Sequence, residues 1–184
     1  MDLQYPIGKF TWNRTGEGLL ASEAERQQWL SEIEAAPARL RAAVVGMTEA
    51  QLDTPYRPGG WTVRQVVHHL ADSHLNSYVR FRLALTEDEP PIKPYKQEDW
   101  AKLSDARTAP AEISLTLFEA LHKRWVLLLR SLPPEDFARA LWHPEQGRVT
   151  LEKHLAMYAW HGRHHAAHIT SLRERQGWQA ASKP

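Results

Sequence analysis

The chain has 184 residues, a length typical of one domain that buries its own hydrophobic core. Lysine and arginine number 23 against 22 aspartates and glutamates, so the net charge of +1 offers no general attraction to nucleic acid or to an anionic membrane. Cysteine is absent, which excludes disulfides, thiolate metal ligands and a cysteine nucleophile. We expect a single domain over residues 1–184, without nucleic-acid or membrane partners.

The N-terminal segment predicts neither export nor membrane insertion. MDLQYPIGKFTW lacks the basic and apolar regions of a signal peptide, and no stretch approaches the ~20 apolar residues that span a bilayer. We therefore expect a cytoplasmic protein. Ten histidines are many for a chain of this length, and their clustering is the most informative feature of the composition.

Two long helices are predicted in the first half of the chain. The first runs from Ser22, an N-cap with Glu25 three residues on, to about Gly46, although Pro37 should break or kink it. The second follows Thr62, whose capping box is completed by Gln65, and continues to about Thr86.

The second half of the chain predicts two further long helices. Residues 87–108 contain three prolines and predict a lid-like loop, with one short helix near Asp99 to Ser104. A third helix should span about Pro110 to Leu132, and a fourth about Thr150 to Gln176, with Gly177 directly after its end. Trp142 to Val149 is predicted as a turn, and no strand is expected. The sequence thus predicts an all-α four-helix bundle with long crossover connections.

The predicted fourth helix carries a face of histidines. At ~100° per residue, His161, His165 and His168 fall within about 60° of one another, beside apolar residues of the same helix. Two inward histidines at positions i and i+4 can converge on one metal ion, as in the helical zinc motif of metalloproteases. On the second helix, His69 lies beside an apolar face that should pack inward. A shared metal would satisfy several buried imidazoles at once.

Helical spacing alone leaves the ligand set open. His164 and His168 form a second i,i+4 pair, and His68 neighbours His69. The remaining histidines are expected to be surface or packing residues, with His154 the strongest exception because it lies on the same stripe two turns away. The other residues expected to have no part in the site are Trp125 and Trp160, as core or dimer contacts, and Arg80, Arg82, Arg163 and Lys153, as solvated charges.

Several segments resemble the DinB/YfiT-like superfamily of four-helix metal-binding proteins, over nearly the whole chain. They are YPIGKF, RPGG, GGWTVRQVVHHLADSHLNSYVRF, KPYKQEDW and WHGRHHAAHI. The resemblance implies that the metal ligands are His69, which precedes Leu70, and the pair His161 and His165. His168 stands where the family often has glutamine, so the resemblance implies a role next to the ligands or facing substrate. It further implies one nickel or zinc ion per subunit, completed by water, and a homodimer.

The resemblance also implies an enzyme, of the type of the YfiT bacillithiol transferases, which are also classed as metal-dependent hydrolases. Three neutral imidazoles leave the +2 charge of the metal intact and a position open, so either a substrate thiol or a water could be activated. In the first reaction the small thiol bacillithiol attacks an electrophilic substrate. In the second, water attacks an ester or amide and needs an assisting group, for which His168, Asp72 and Asn76 are the candidates near the predicted face.

We rank transfer above hydrolysis because no glutamate is placed as in a typical metallohydrolase. A non-catalytic, metal-stabilised dimeric stress protein is the competing class. A DNA-binding protein finds no support, because neither a basic stripe nor a recognition helix is visible.

Overall fold

Four long α-helices carry the fold in a computed structural model of the chain, which describes residues 2–14 and 20–178. They are α1 (Glu23–Val44), α3 (Val63–Thr86), α6 (Ala111–Ser131) and α7 (Leu151–Gln176). The shorter elements are α2 (Glu49–Leu52), α4 (Gln97–Trp100), α5 (Ser104–Thr108), a 3-10 helix (Pro134–Ala138), and strands β1 (Ala140–His143) and β2 (Gly147–Thr150). Within the described ranges, no helix is long and apolar enough to cross a membrane.

The long helices pack as a four-helix bundle. Helix α1 packs against α6 and α7, and helix α3 packs against the same two helices, so α1 and α3 occupy opposite corners. The connections over residues 45–62 and 132–150 therefore each join helices at opposite corners. The predicted all-α bundle with long crossovers is confirmed.

Local capping chemistry sets the ends of these helices. Ser22 and Glu25 form the predicted capping box of α1, and Thr62 and Gln65 form that of α3. Gly177 ends α7 in the left-handed conformation, with φ of 65°, a backbone geometry that favours glycine. These three helix-boundary predictions are confirmed.

Three local predictions need correction. Helix α1 runs through Pro37 without a break. Two short helices, Gln97–Trp100 and Ser104–Thr108, flank the position of the single one expected near Asp99 to Ser104. The segment predicted as a turn forms an antiparallel hairpin, with Leu141 opposite Val149. Both side chains are buried, but the adjacent Ala140 is buried as well, so β1 lacks the alternation that identifies a strand in the sequence.

The bundle core is divided into two apolar clusters along its length. One contains Ile33, Phe81, Trp125 and Leu155, and the other contains Leu40, Leu70, Phe118 and Ile169. In α3, α6 and α7, buried histidines lie at or close to the boundary between the residues of the two clusters. They are His74, His122, His164, His165 and His168, with the partly exposed His161 beside them. A polar layer thus crosses the middle of the bundle, which is the level of the functional site.

Candidate metal centre

Three histidine rings converge where α3 packs against α7. His69 projects from α3, and His161 and His165 project from consecutive turns of α7. One nitrogen from each ring lies within 4.8 Å of the other two, and no other such group of three possible ligands occurs in residues 2–14 and 20–178. The Nε2 atoms of His69 and His161 are 3.4 Å apart. His69, which helical spacing could only suggest as a partner from another helix, does lie beside the pair His161 and His165.

The separation between the nitrogens of His69 and His161 suits one shared ion. Two nitrogens bound tetrahedrally to one zinc at ~2.0–2.1 Å lie roughly 3.3–3.4 Å apart. The observed 3.4 Å between His69 and His161 matches this value. The donor set, three imidazoles without a carboxylate, therefore fits a borderline divalent transition metal.

The three rings are held in the neutral form that binds metal. Burial, with a smaller contribution from His168, lowers the pKa of His69 to about 3. Burial also holds the pKa of His161 and His165 well below the usual value near 6.5, and the neighbouring histidines add to this effect. A metal competes with protons for imidazole nitrogens. Because these rings are already neutral at neutral pH, they can bind a metal without first losing a proton.

The ring nitrogens that face away from the centre have partners of their own. His165 Nδ1 lies 3.3 Å from His168 Nδ1, and His168 Nε2 lies 3.0 Å from the carbonyl oxygen of Gln4. A carbonyl only accepts, so the neutral His168 donates from Nε2, and its Nδ1 accepts a hydrogen bond from Nδ1 of His165. The Nε2 of His165 is then left unprotonated and available to a metal. Tyr95 Oη similarly lies 3.5 Å from Nδ1 of His69.

A pocket of about 300 Å³ opens over the three rings. Aromatic side chains form much of its wall, Arg57 is the one lysine or arginine among its described lining residues, and Glu98 is the one carboxylate. Glu98 is exposed and its Oε2 accepts a hydrogen bond from Trp61 Nε1 at 3.1 Å. The lining residues are Gln4, Tyr5, Tyr56, Arg57, Gly59, Gly60, Trp61, His69, Gln97, Glu98, Trp160, His161, His164, His165 and His168.

The neighbouring histidines that spacing left as alternatives are directed elsewhere. His68 faces α6, with Nδ1 2.7 Å from Ser114 Oγ and Nε2 3.1 Å from the carbonyl oxygen of Ala109. His164 lines the pocket but stacks on Trp160, with ring centroids 4.3 Å apart. Of the two possible registers, the one that joins His69 to His161 and His165 is therefore the one whose rings meet.

The three candidate assisting groups are not equally placed. His168 lines the pocket and contacts His165. Asp72 and Asn76 are absent from the described lining residues, and the Asn76 side chain donates to the backbone oxygen of Asp72 at 2.9 Å. Burial, with a contribution from Asp105, raises the pKa of Asp72 to about 6. The structure thus brings only His168 of the three to the pocket.

Most of the residues expected to be packing or surface residues do pack in the interior or face solvent. His74, His122, His154 and Trp125 are buried, while Arg82 and Arg163 are exposed. The expectation for Arg80 was wrong, because it is buried near His154, where its charge, after burial, is a further cause of the lowered pKa of that ring.

Sequence reasoning assigned no role to several pocket residues. Tyr56, Arg57 and Trp61 come from the loop before α3, and Glu98 comes from α4. Both segments, RPGG with its flanking residues and KPYKQEDW, carried the family resemblance, and that was the available signal. Their convergence depends on how two loops fold over the histidine-bearing faces of α3 and α7, which no local periodicity encodes.

Comparisons with known proteins agree with this four-helix bundle fold. Residues 32–169 match the DinB superfamily. A Bacillus mycoides protein named "putative metal-dependent hydrolase" is 54% identical over 177 residues, which cover 96% of this chain and 99% of that protein. A Bacillus cereus protein of the same name is 55% identical with the same coverage.

Two solved structures are also similar. YfiT from Bacillus subtilis, described as "a probable metal-dependent hydrolase with an unusual four-helix bundle topology", has a TM-score of 0.90 and 49% identity, covering 97% of this chain and 100% of its own. The four-helix bundle protein TT2238, at 22% identity and a TM-score of 0.53 over 83% of this chain and 98% of its own, shares the fold. The chain belongs to the DinB superfamily.

Proposed function

We propose that the protein is a metal-dependent enzyme that joins a small thiol, such as bacillithiol, to an electrophilic substrate, with His69, His161 and His165 as ligands of one zinc or nickel ion. The observation that carries this proposal is the meeting of three neutral imidazoles, without a carboxylate among them, at the floor of an open pocket. Such a donor set leaves the full +2 charge to act on a bound substrate. The metal, when bound, would favour the deprotonated form of a thiol or of water in the pocket.

The residues around the three ligands would bind and orient the substrates. The Arg57 guanidinium can pair with a carboxylate of an acidic thiol, since it is the one cationic side chain among the described lining residues. Trp61 and Trp160 offer apolar walls to the electrophile. In the transfer step a sulfur–carbon bond forms, the bond from carbon to its leaving group breaks, and the thiol proton passes to solvent.

Glu98 favours hydrolysis as a second candidate function. Its carboxylate lines the same pocket and is oriented by Trp61 Nε1, so it can accept a proton from an attacking water. The relatives named as metal-dependent hydrolases support this alternative. We rank it second because α4, which carries Glu98, has only four residues and leaves the side chain exposed.

Thiol conjugation and hydrolysis can be separated in one set of assays. Zinc-loaded protein is expected to conjugate bacillithiol to a halogenated nitrobenzene, with halide released in equal amount, and to lose this activity after chelation. Glu98→Gln should leave the conjugation rate within about twofold, because no proton needs to reach Glu98. Hydrolysis of an ester or amide panel that fails with Glu98→Gln, without any conjugation, would establish the second function instead. Metal binding without turnover of either kind would favour a metal-stabilised structural protein, for which we propose a homodimer.

His168 gives a further prediction, because it orients a ligand rather than binding the metal itself. His168→Leu removes the acceptor for Nδ1 of His165 and should weaken zinc binding about 10–100-fold. His168→Gln can still accept from His165 and donate to Gln4, so its zinc affinity should stay near that of the wild type. Competition with a chromophoric chelator measures both variants. Equal loss of affinity in the two variants would contradict this role.

A further inference from the structure

A chain of histidines crosses the bundle from the metal centre to the backbone of α1. His161 Nδ1 lies 3.2 Å from His74 Nε2, and His74 Nδ1 lies 3.0 Å from His122 Nε2. His122 Nδ1 lies 2.6 Å from the carbonyl oxygen of Ile33. The chain therefore contacts all four long helices in turn, α7, α3, α6 and α1.

Pro37 explains why the carbonyl of Ile33 is available. In a regular α-helix this oxygen would accept from the backbone N–H four residues later, but proline has no N–H. Residue 37 is that position, and it lies inside α1. His122 occupies the acceptor that the proline leaves free, which also accounts for a helix that continues through the proline.

The carbonyl at the end of the chain sets the direction of every proton in it. Because Ile33 O can only accept, His122 must donate from Nδ1, and a neutral His122 then accepts at Nε2. His74 must therefore donate from Nδ1 and accept at Nε2, and His161 must donate from Nδ1. The Nε2 atom of His161, which faces His69 at 3.4 Å, is left with a free lone pair.

We propose that Pro37, His122 and His74 are positioning residues that fix His161 in the tautomer that binds metal through Nε2. Free imidazole side chains in water favour a proton on Nε2, which would block this site. The chain of histidine hydrogen bonds reverses that tautomer preference in the metal-free protein. It also orients the ligand with neutral groups in place of the carboxylate that often serves this purpose, so no negative charge offsets the charge of the ion.

The tautomers can be observed without metal or activity. In metal-free protein labelled with ¹⁵N-histidine, long-range ¹H–¹⁵N spectra at pH 7.5 should show His74, His122 and His161 protonated at Nδ1. The metal-affinity part of the proposal rests on the proposed metal site, whereas the tautomer part does not. If the wild-type protein had these tautomers but bound no zinc, the proposed chain of histidine hydrogen bonds would be supported and the metal function refuted. A proton on Nε2 of His161 would overturn the proposal.

Variants at His122 separate positioning from simple loss of stability. His122→Leu has a similar volume but leaves Ile33 O and His74 Nδ1 without partners, so His161 should populate the Nε2-protonated form and zinc affinity should fall about 10–100-fold. His122→Gln keeps a donor and an acceptor and should restore most of the affinity. In the double variant Pro37→Ala with His122→Leu, the new backbone N–H can satisfy Ile33 O.

The double variant is the decisive comparison. Its melting temperature should recover toward that of the wild type, because the buried carbonyl is paired again, while its tautomer ratio and its zinc affinity should remain those of His122→Leu. His143→Leu, a change in the hairpin, should alter neither the tautomer ratio nor the zinc affinity. Recovery of zinc affinity together with stability would mean that His122 acts only by pairing with the carbonyl of Ile33, and would overturn the positioning role.

Discussion

Replacing His165 with alanine is expected to reduce bound zinc from about one ion per chain to below about 0.1 under conditions that saturate the wild type. The variant keeps only two of the three converging nitrogens. Loss of a group that merely orients a ligand costs about 10–100-fold in affinity, so loss of a ligand itself should cost more. Metal analysis of protein purified without a nickel column and reconstituted with zinc measures this effect. Activity in the conjugation or hydrolysis assays should fall in parallel, by at least about 100-fold.

The adjacent residue supplies a matched control. His164 is also a buried histidine on α7, and it belongs to the alternative pair with His168. His164→Ala should keep about one zinc per chain, because the ring stacks on Trp160 and does not join the three converging nitrogens. Loss of zinc in His164→Ala but not in His165→Ala would reverse the assignment. Undiminished activity in a metal-free His165→Ala protein would remove the metal from the reaction.

The features predicted best are those that a short sequence window determines. A capping box is a contact between residues three positions apart, so Ser22 with Glu25 and Thr62 with Gln65 could be read directly. The convergence of His161 and His165 likewise follows from one helical turn. The hairpin was missed because its short strands are stabilised partly by distant contacts, such as the hydrogen bond from Ile92 N to Trp142 O at 3.0 Å.

The features that were missed depend on pairing between helices. Pro37 was expected to break or kink α1, and only the position of His122 on α6 shows how the free carbonyl is satisfied. The choice between His68 and His69 depends on how α3 is rotated toward α7. Helical periodicity gives the relative directions of side chains on one helix but not which neighbour each face meets. The family resemblance supplied that information for the ligands, and not for His74 or His122.

Acidification of the metal-free protein from pH 7 to pH 5 is expected to lower its free energy of unfolding by several kcal/mol. Burial lowers the pKa of His69 and His154 to about 3 and that of His122 to about 4, against about 6.5 in an unfolded chain. Between pH 6.5 and about 4 the unfolded state therefore binds more protons. Stability that is fully present above pH 6.5 is lost as the pH falls, by about 1.4 kcal/mol per pH unit for each such histidine.

His154 allows this explanation to be tested at one residue. Neither of its ring nitrogens has a hydrogen-bond partner among the described residues, so replacing it removes a buried polar group without leaving a partner unpaired. His154→Leu should raise the free energy of unfolding by about 1 kcal/mol at pH 7. It should also reduce the pH dependence below pH 6.5 by about one proton, so that the gain increases on acidification. Urea denaturation at pH 7, 6 and 5 measures both quantities.

The comparison with His143 decides whether burial is the cause. His143 lies in the hairpin, and its side chain is only partly buried. Burial and the charge of Arg80 lower its pKa, but by less than the pKa of His154 is lowered. His143→Leu should therefore change the pH dependence by less than His154→Leu does. If the free energy of unfolding changed equally with pH in the wild type and in His154→Leu, the ring of His154 would take up its proton within the folded bundle. The interior around His154 would then be accessible to protons from solvent, and burial could not be what keeps this ring neutral.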